Sequence, residues 1–564
     1  MEGGVRYRGC VRAGMVRSGP AMFALFCLLF YVSNTIGHRI LLPVTSGFHT
    51  PSHVKLITTI SKALVDKGHH VTLLRWTGWE NYANDSFSEV IVYSGCFTKE
   101  ESEEYNEKSS QQFSVSASGF SEMVRNLLEM KHVFARCCGD MWADKRALQE
   151  LENGHYDLTL VFYLSTCNGM VAQYLGHPFV VFTSTVRVPL LDETLFGMPI
   201  PSSYVPFDIF STLTDEMTFF ERLQNFVSFY VDYLAMYVTT DTLVKTQQEY
   251  NIKPELNQKQ LFADALLWLT NVDVTLDFAR PFTPNVIPIG GVMVTKEKPL
   301  REDLIEFLDG AGENGVVICS LGSAVKSLGD KQTALMLNTF NGLKQRVLWK
   351  FEGTLPSGVA VGENIRIVKW MPQNDLLAHP QVKLMIYHGG VNGVYEAIYH
   401  GVPMVLLPLF ADQFFTSTRI QKKGMGVMLD VLQITEESFR EAVNTVLHDR
   451  RYQKNADRLS AIYRDLNKNQ SPLERAVYWI DHVLQFGGDH LRPRSADMGT
   501  IELYSLDVAA FIIIMVVILS VISFVTLRGI LKCLYGCWCY CCCCRKTSSA
   551  SEGSTTVGDS KKKK

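Results

Sequence analysis

Residues 370–413, WMPQNDLLAHPQVKLMIYHGGVNGVYEAIYHGVPMVLLPLFADQ, read as a strand, a glycine turn and a helix. Val382–Tyr387 is a short apolar run suited to a buried parallel strand. His388, Gly389 and Gly390 form the turn, and Val391–His400 has helical spacing that Gly401 ends. The unpaired amides and positive dipole end of that helix face whatever lies above the turn, so an anion, most simply a phosphate, is the expected occupant and His388 can donate to it. Trp370 and Gln373 sit where an earlier strand, 365–369, runs out, an indole and an amide suited to stacking on and bonding a planar base. Glu396, eight residues beyond His388, lies about two turns up the helix and can accept from ribose hydroxyls. Asp412 and Gln413 follow the apolar run 404–409, at the carboxyl end of a strand where ligands of open α/β sheets bind, and suit sugar hydroxyls.

This spacing resembles the signature of UDP-glycosyltransferases of the glucuronosyltransferase superfamily over the whole segment. The resemblance implies that Trp370 stacks on uracil, Gln373 and Glu396 hold the base and ribose, His388, Gly390 and Asn392 meet the diphosphate, and Asp412 with Gln413 bind the sugar. Ser323, in VVICSLGS, matches the family's further phosphate-contacting serine. Tyr387 stands where Thr often precedes the histidine, and Val391 replaces a frequent Thr.

The chain has 564 residues, 47% of them hydrophobic, enough for two core-bearing domains and membrane segments, and its net charge of -3 gives no nucleic-acid footprint. A basic leader followed by the apolar run 21–32 reads as a secretory signal peptide over residues 1–37. Residues 508–527 are uncharged and span about 30 Å as a helix, a transmembrane segment. Arg528, Lys532, Arg545 and Lys546 follow it, which places the tail in the cytosol and the preceding chain in the lumen, a single-pass type I topology. The terminal KKKK, with Lys561 and Lys562, reads as an endoplasmic reticulum retrieval signal for coat proteins. Half of the 14 cysteines lie in the juxtamembrane tail, where S-acylation is expected, so the cysteine count does not signal a lumenal disulfide framework. Asn84 and Asn469 are glycosylation acceptors in a lumenal chain, the second followed closely by Pro472.

Strand and helix signals alternate before Arg280 and again after Gly290, with ARPFTPNVIPIGG between them. The expected fold class is α/β: two Rossmann-like, doubly wound domains facing across a cleft, plus one C-terminal transmembrane helix, the GT-B form that the resemblance implies. The boundaries are an acceptor-binding domain at 38–279, a linker at 280–291, a UDP-sugar domain at 292–480, a juxtamembrane segment at 481–507 and a cytosolic tail from 528. His53 stands at the start of a helix just past strand Arg39–Pro43, pointing into the cleft, and it occupies the family's base position, fifteen residues before Gly68. The implied reaction is a single displacement at the anomeric carbon, with neutral His53 as general base and inversion as the outcome. UDP-sugar is a co-substrate, and no metal and no other cofactor is expected. One position departs: the aspartate that orients the family's histidine aligns with Phe162, which cannot carry that role. Asp157 lies at the start of the same strand, and Asp140 has no placement from sequence.

Residues 197–226 resemble the ceramide galactosyltransferase branch. Gln413, however, stands where that branch has histidine, and Thr270 and Asn271 stand where glucuronate-binding relatives carry WLxR. The preferred donor is UDP-glucose over UDP-glucuronate, and the acceptor a small lipophilic hydroxyl compound. Alternatives are a UDP-sugar-binding protein with little turnover, a sphingolipid galactosyltransferase and a membrane adaptor. The bilayer, the retrieval coat and a second copy of the chain complete the expected partners.

Overall fold

The computed structural model describes residues 37–45, 51–79, 86–102, 104–105, 120–163, 165–183, 197–207, 211–256, 260–322, 325 and 327–547. The stretch read as a signal peptide, through residue 36, and Asn84, Ser323 and the terminal lysines lie outside these.

The first sheet has seven parallel strands in the order β3-β2-β1-β4-β5-β6-β7. They are β1 (Arg39–Pro43), β2 (His70–Trp76), β3 (Glu89–Tyr93), β4 (Leu158–Phe162), β5 (Phe179–Phe182), β6 (Trp268–Thr270) and β7 (Val286–Pro288). Strands β4 and β5, LTLVF and FVVF, are buried throughout, as expected of parallel strands covered on both faces. Helices α1 (Pro51–Asp66), α2 (Phe120–Ala143), α3 (Thr166–Leu175) and α4 (Phe219–Glu249) belong to this domain. Strand β7 falls inside the stretch read as a linker, so the first sheet reaches further along the chain than the proline and glycine composition indicates.

The second sheet has six parallel strands in the order β10-β9-β8-β11-β12-β13, namely β8 (Val316–Ser320), β9 (Arg346–Lys350), β10 (Ile365–Val368), β11 (Val382–Tyr387), β12 (Met404–Leu406) and β13 (Gly426–Met428). Alternate residues divide between two cores: Val316 and Ile318 pack with Val394 and Ile398, while Val317 and Cys319 pack with Phe340 and Phe439. Helices α5 (Val391–His400) and α6 (Asp412–Lys422) follow β11 and β12. Helix α7 (Pro472–Phe486) returns to the other domain, its Ala476, Val477, Ile480 and Val483 packing into the core of the first sheet. The chain therefore crosses between the domains twice, and the boundary drawn at residue 480 cuts through a helix that belongs with the N-terminal core.

In both sheets the winding reverses beside the strand that enters first, β1 against β4 and β8 against β11. The crevices that open at the carboxyl ends of those pairs are where a doubly wound sheet binds its ligands.

Two disulfides, Cys96–Cys137 and Cys138–Cys167, tie α2 to the loop after β3 and to the start of α3. This corrects the expectation drawn from cysteine count: four cysteines ahead of the membrane segment are paired, a connectivity that only the fold brings within reach. Asn469 is exposed in the turn before α7. Its sequon serine, Ser471, caps that helix, the hydroxyl accepting from Glu474 N at 3.2 Å, and Pro472 fills the first helical position.

From Asp497 the described residues form a second compact unit, dominated by helix α8 (Leu506–Thr547). Residues Leu506–Cys541 of it are long and apolar enough to cross a membrane, and the described part of the cysteine tail continues the same helix.

Candidate active site

The turn after β11 is shaped by what packs against it. Gly389 has φ 87°, and a Cβ there would lie 2.3 Å from Ser417 Oγ on α6. Only glycine fits both the backbone and the space. A Cβ on Gly322, after β8, would lie 2.6 Å from His388 Cε1, so the two switch-point turns of the second sheet meet at His388. Burial drives the His388 pKa down to about 3. The ring is therefore neutral at ordinary pH and offers a single N–H donor. Lys350, at the end of β9, donates to Gly322 O at 3.2 Å and pairs with Glu352 at 2.9 Å, a largely buried cation beside the turn.

Along α5, Gln373 Nε2 donates to Glu396 Oε2 at 2.6 Å. Burial raises the Glu396 pKa, and Lys55 and Gln373 oppose that rise. The Lys55 Nζ lies 3.8 Å from Glu396 Oε1, reaching from the first turns of α1 in the other domain. Tyr387 lies over Gly393, where a Cβ would approach its hydroxyl to 2.4 Å, so the tyrosine found in place of threonine occupies space inside this cluster. Trp370 is 72% exposed just past β10, leaving its indole open to a stacking partner. Asn392 Oδ1 accepts from Asn271 Nδ2 at 3.1 Å, and Asn271 comes from the segment just after β6.

Ala411 is held at φ 54°, a costly conformation for a residue with a Cβ, directly before Asp412 opens α6. Burial raises the Asp412 pKa to about 6. Gln413 Oε1 accepts from Leu409 N at 2.8 Å and Phe410 N at 3.2 Å. Its carbonyl is thus committed to the turn, and the amide nitrogen is the part left to meet a sugar.

Across the cleft, His53 stands in the first turn of α1, with its ring edge-on to Phe162 at 5.4 Å between centroids. Phe162 ends β4, so the phenyl ring occupies the neighbourhood in which a carboxylate partner would stand. Burial lowers the His53 pKa to about 4. The two strand ends are joined by buried Asn168, whose Oδ1 accepts from Thr45 N and Oγ1 at 3.0 and 2.7 Å and whose Nδ2 donates to Phe162 O at 2.8 Å. Asp157 lies at the opposite end of β4, accepting from Arg39 N at 2.8 Å. Asp140 accepts from Cys96 N at 2.7 Å beside the disulfide. Neither carboxylate substitutes for the missing one.

The model of the family described as UDP-glucoronosyl and UDP-glucosyl transferase matches residues 45–542. The chain belongs to this family. It is 32% identical over 478 residues to the rat 2-hydroxyacylsphingosine 1-beta-galactosyltransferase, covering 84% of this chain and 86% of that one. It is also 32% identical over 513 residues to human UDP-glucuronosyltransferase 1A10, covering 90% and 94%. Among solved structures, the kitacinnamycin glycotransferase aligns with a TM-score of 0.57 at 18% identity, over 79% of this chain and 99% of that one. The calicheamicin glycosyltransferase CalG4 aligns at 0.51 and 18% over 80% and 99%. These two share the GT-B fold seen here. The protein is a membrane UDP-glycosyltransferase, an enzyme acting on a UDP-sugar donor and an acceptor.

Sequence reasoning missed two polar residues that this UDP-glycosyltransferase brings to the cluster, Lys350 and Lys55. Lys350 ends a strand next to the switch point, a signal that was available. Lys55 arrives from the other domain, and nothing local marks its contact.

Proposed function

We propose that the enzyme transfers glucose from UDP-glucose, with inversion, to a hydroxyl of a small lipophilic acceptor on the lumenal side of the endoplasmic reticulum membrane. The observation that carries this is the approach of Lys55 to Glu396, which sets the helix start bearing His53 directly across from the donor helix. Neutral His53 takes the acceptor's proton as its oxygen bonds to the anomeric carbon, while the bond from that carbon to the UDP oxygen breaks on the opposite face. Negative charge gathering on UDP is met by the amides opening α5, by the His388 N–H and by Lys350. Trp370 stacks on uracil, Glu396 and Gln373 take the ribose and base, Asn392 with Gly390 flanks the diphosphate, and Asp412 and the Gln413 amide bind sugar hydroxyls.

The choice of a neutral sugar is supported by Asn271, a neutral amide already bonded to Asn392 where glucuronate-binding relatives have arginine. The galactosyltransferase name of one set of relatives favours a lipid-like acceptor. Two disulfides suit an oxidising lumen, and the cations after the span suit a cytosolic tail, with the terminal lysines read by retrieval coats. UDP release is to be measured from UDP-glucose, UDP-glucuronate and UDP-galactose with mixed lipophilic acceptors, for the native chain and His53→Ala. Glucose transfer abolished by His53→Ala is the expected result. A preference for glucuronate would overturn the donor assignment, and activity unchanged by His53→Ala would overturn the base.

A further inference from the structure

Helix α4 turns its apolar side outward. Phe219, Phe220, Leu223, Phe226, Val227, Tyr230 and Val231 are all exposed, Phe220 at 77%, Tyr230 at 59% and Leu223 at 49%. At 100° per residue these seven fall within an arc of roughly 140° along three turns, and no charged residue between 219 and 231 shares it. Amphipathic helices of soluble domains present the opposite face. Scattered exposed apolar residues are ordinary, whereas a continuous stripe of aromatics marks an interaction surface.

The opposite face fixes this orientation. Buried Asn225 accepts from Phe207 N at 2.6 Å and donates to Ser202 O at 2.7 Å and Val205 O at 2.9 Å. Phe229 packs edge-on against Phe207 at 5.7 Å. Thr218 and Glu221 form a reciprocal cap that holds the helix start. Rolling the stripe inward would break the Asn225 bonds and the Phe229–Phe207 contact. Phe226 and Tyr230 also pack against each other, tilted, at 4.8 Å between centroids, so the outward surface is itself packed.

We propose that this face of α4 lies on the lipid bilayer, its Phe, Leu and Val side chains in the acyl boundary and the Tyr230 hydroxyl at headgroup level. Two features choose lipid over a protein partner. The same chain carries a helix able to span a membrane, and only nine residues separate Ala496, the end of the first unit, from Leu506, where that helix begins. Such a tether reaches at most about 35 Å, so a bilayer is always close to the catalytic unit at high effective concentration. The stripe is rich in Phe and Tyr, as in helices that lie in the membrane interface. The inference is independent of the donor sugar and of turnover.

The test uses the full chain, one copy per nanodisc of phosphatidylcholine doped with a phosphatidylcholine carrying a photoactivatable acyl chain, with adducts mapped by peptide. Adducts are expected in the peptide spanning residues 219–231 as well as in 506–541. Adducts confined to 506–541 would overturn the proposal, and this native map decides it without any variant. The triple variant Phe220→Glu, Leu223→Glu, Tyr230→Glu should lose several-fold of the α4 adducts while keeping those of the span and its thermal protection by UDP. Unchanged α4 adducts in that variant would count against the stripe. In discs loaded with two chains, replacement of the lipid adducts at 219–231 by crosslinks to the second chain would assign the face to self-association and also overturn the proposal.

Discussion

His53 carries the most consequential departure in the molecule. An unfolded histidine titrates near pH 6.5, and burial brings folded His53 to about 4. The ring is therefore neutral well below pH 6.5, and if His53 is the base proposed above, the acid limb of kcat/KM is expected near pH 4 to 5; a limb at 6.5 would contradict the buried geometry. Phe162, packed against the His53 ring at 5.4 Å, stands where the family's aspartate would favour a charged imidazolium. Phe162→Asp should raise kcat and move the acid limb toward neutrality, since a carboxylate near the ring favours its charged form. A higher kcat without a shift of the limb would separate packing from charge. Lys350→Met should weaken UDP binding several-fold with little change in fold stability, measured by calorimetry, because the cation beside Gly322 and His388 lies next to the turn proposed to hold the diphosphate.

At the scale of elements, the turn and helix after β11 were legible in the sequence. Strand period, glycine stop and helical spacing are local properties, and the structure returns Val382–Tyr387 and Val391–His400 at the boundaries read from them. Gly389→Ala should cost UDP affinity by reshaping this turn, read as lost thermal protection by the nucleotide, since its Cβ would collide with Ser417 and its φ of 87° disfavours any side chain. Other parts were not legible, for physical reasons. The apolar face of α7 is equally suited to either core, so sequence could not reveal that it docks on the first sheet. Strand β7 is three residues long and lies among prolines, too short for a period. The pairing of Cys96 with Cys137 and of Cys138 with Cys167 depends on distances between segments 29 and 41 residues apart. Asn271, by contrast, was noticed for the arginine it replaces, and the structure adds that it bonds Asn392.

For the whole molecule, stability depends on groups that join distant parts of the chain. Arg419 on α6 donates to Asp277 at 2.8 Å, both side chains buried, and stacks on Phe278. Asp277→Ala, which removes the carboxylate paired with the buried guanidinium, should lower stability by about 3–5 kcal/mol, whereas Arg419→Met with Asp277→Leu should recover much of it. Buried His53 and His388 both titrate well below their unfolded value. Between pH 6.5 and 4 the unfolded chain binds those protons and the folded chain does not, so the melting temperature should fall as pH drops through that window and level off above 6.5. The two crossings between domains have a further consequence. Tyr463 donates to Gly290 O at 2.9 Å, and Arg475 donates to Pro288 O at 3.0 Å and to Asn467 Oδ1 at 2.9 Å, so the outgoing and returning segments are pinned to each other. Two segments fastened side by side should act as a hinge with a single short axis. A cleft hinged there should swing about that axis and resist twisting, so side chains remote from both substrates should help set the rate at which spent UDP escapes.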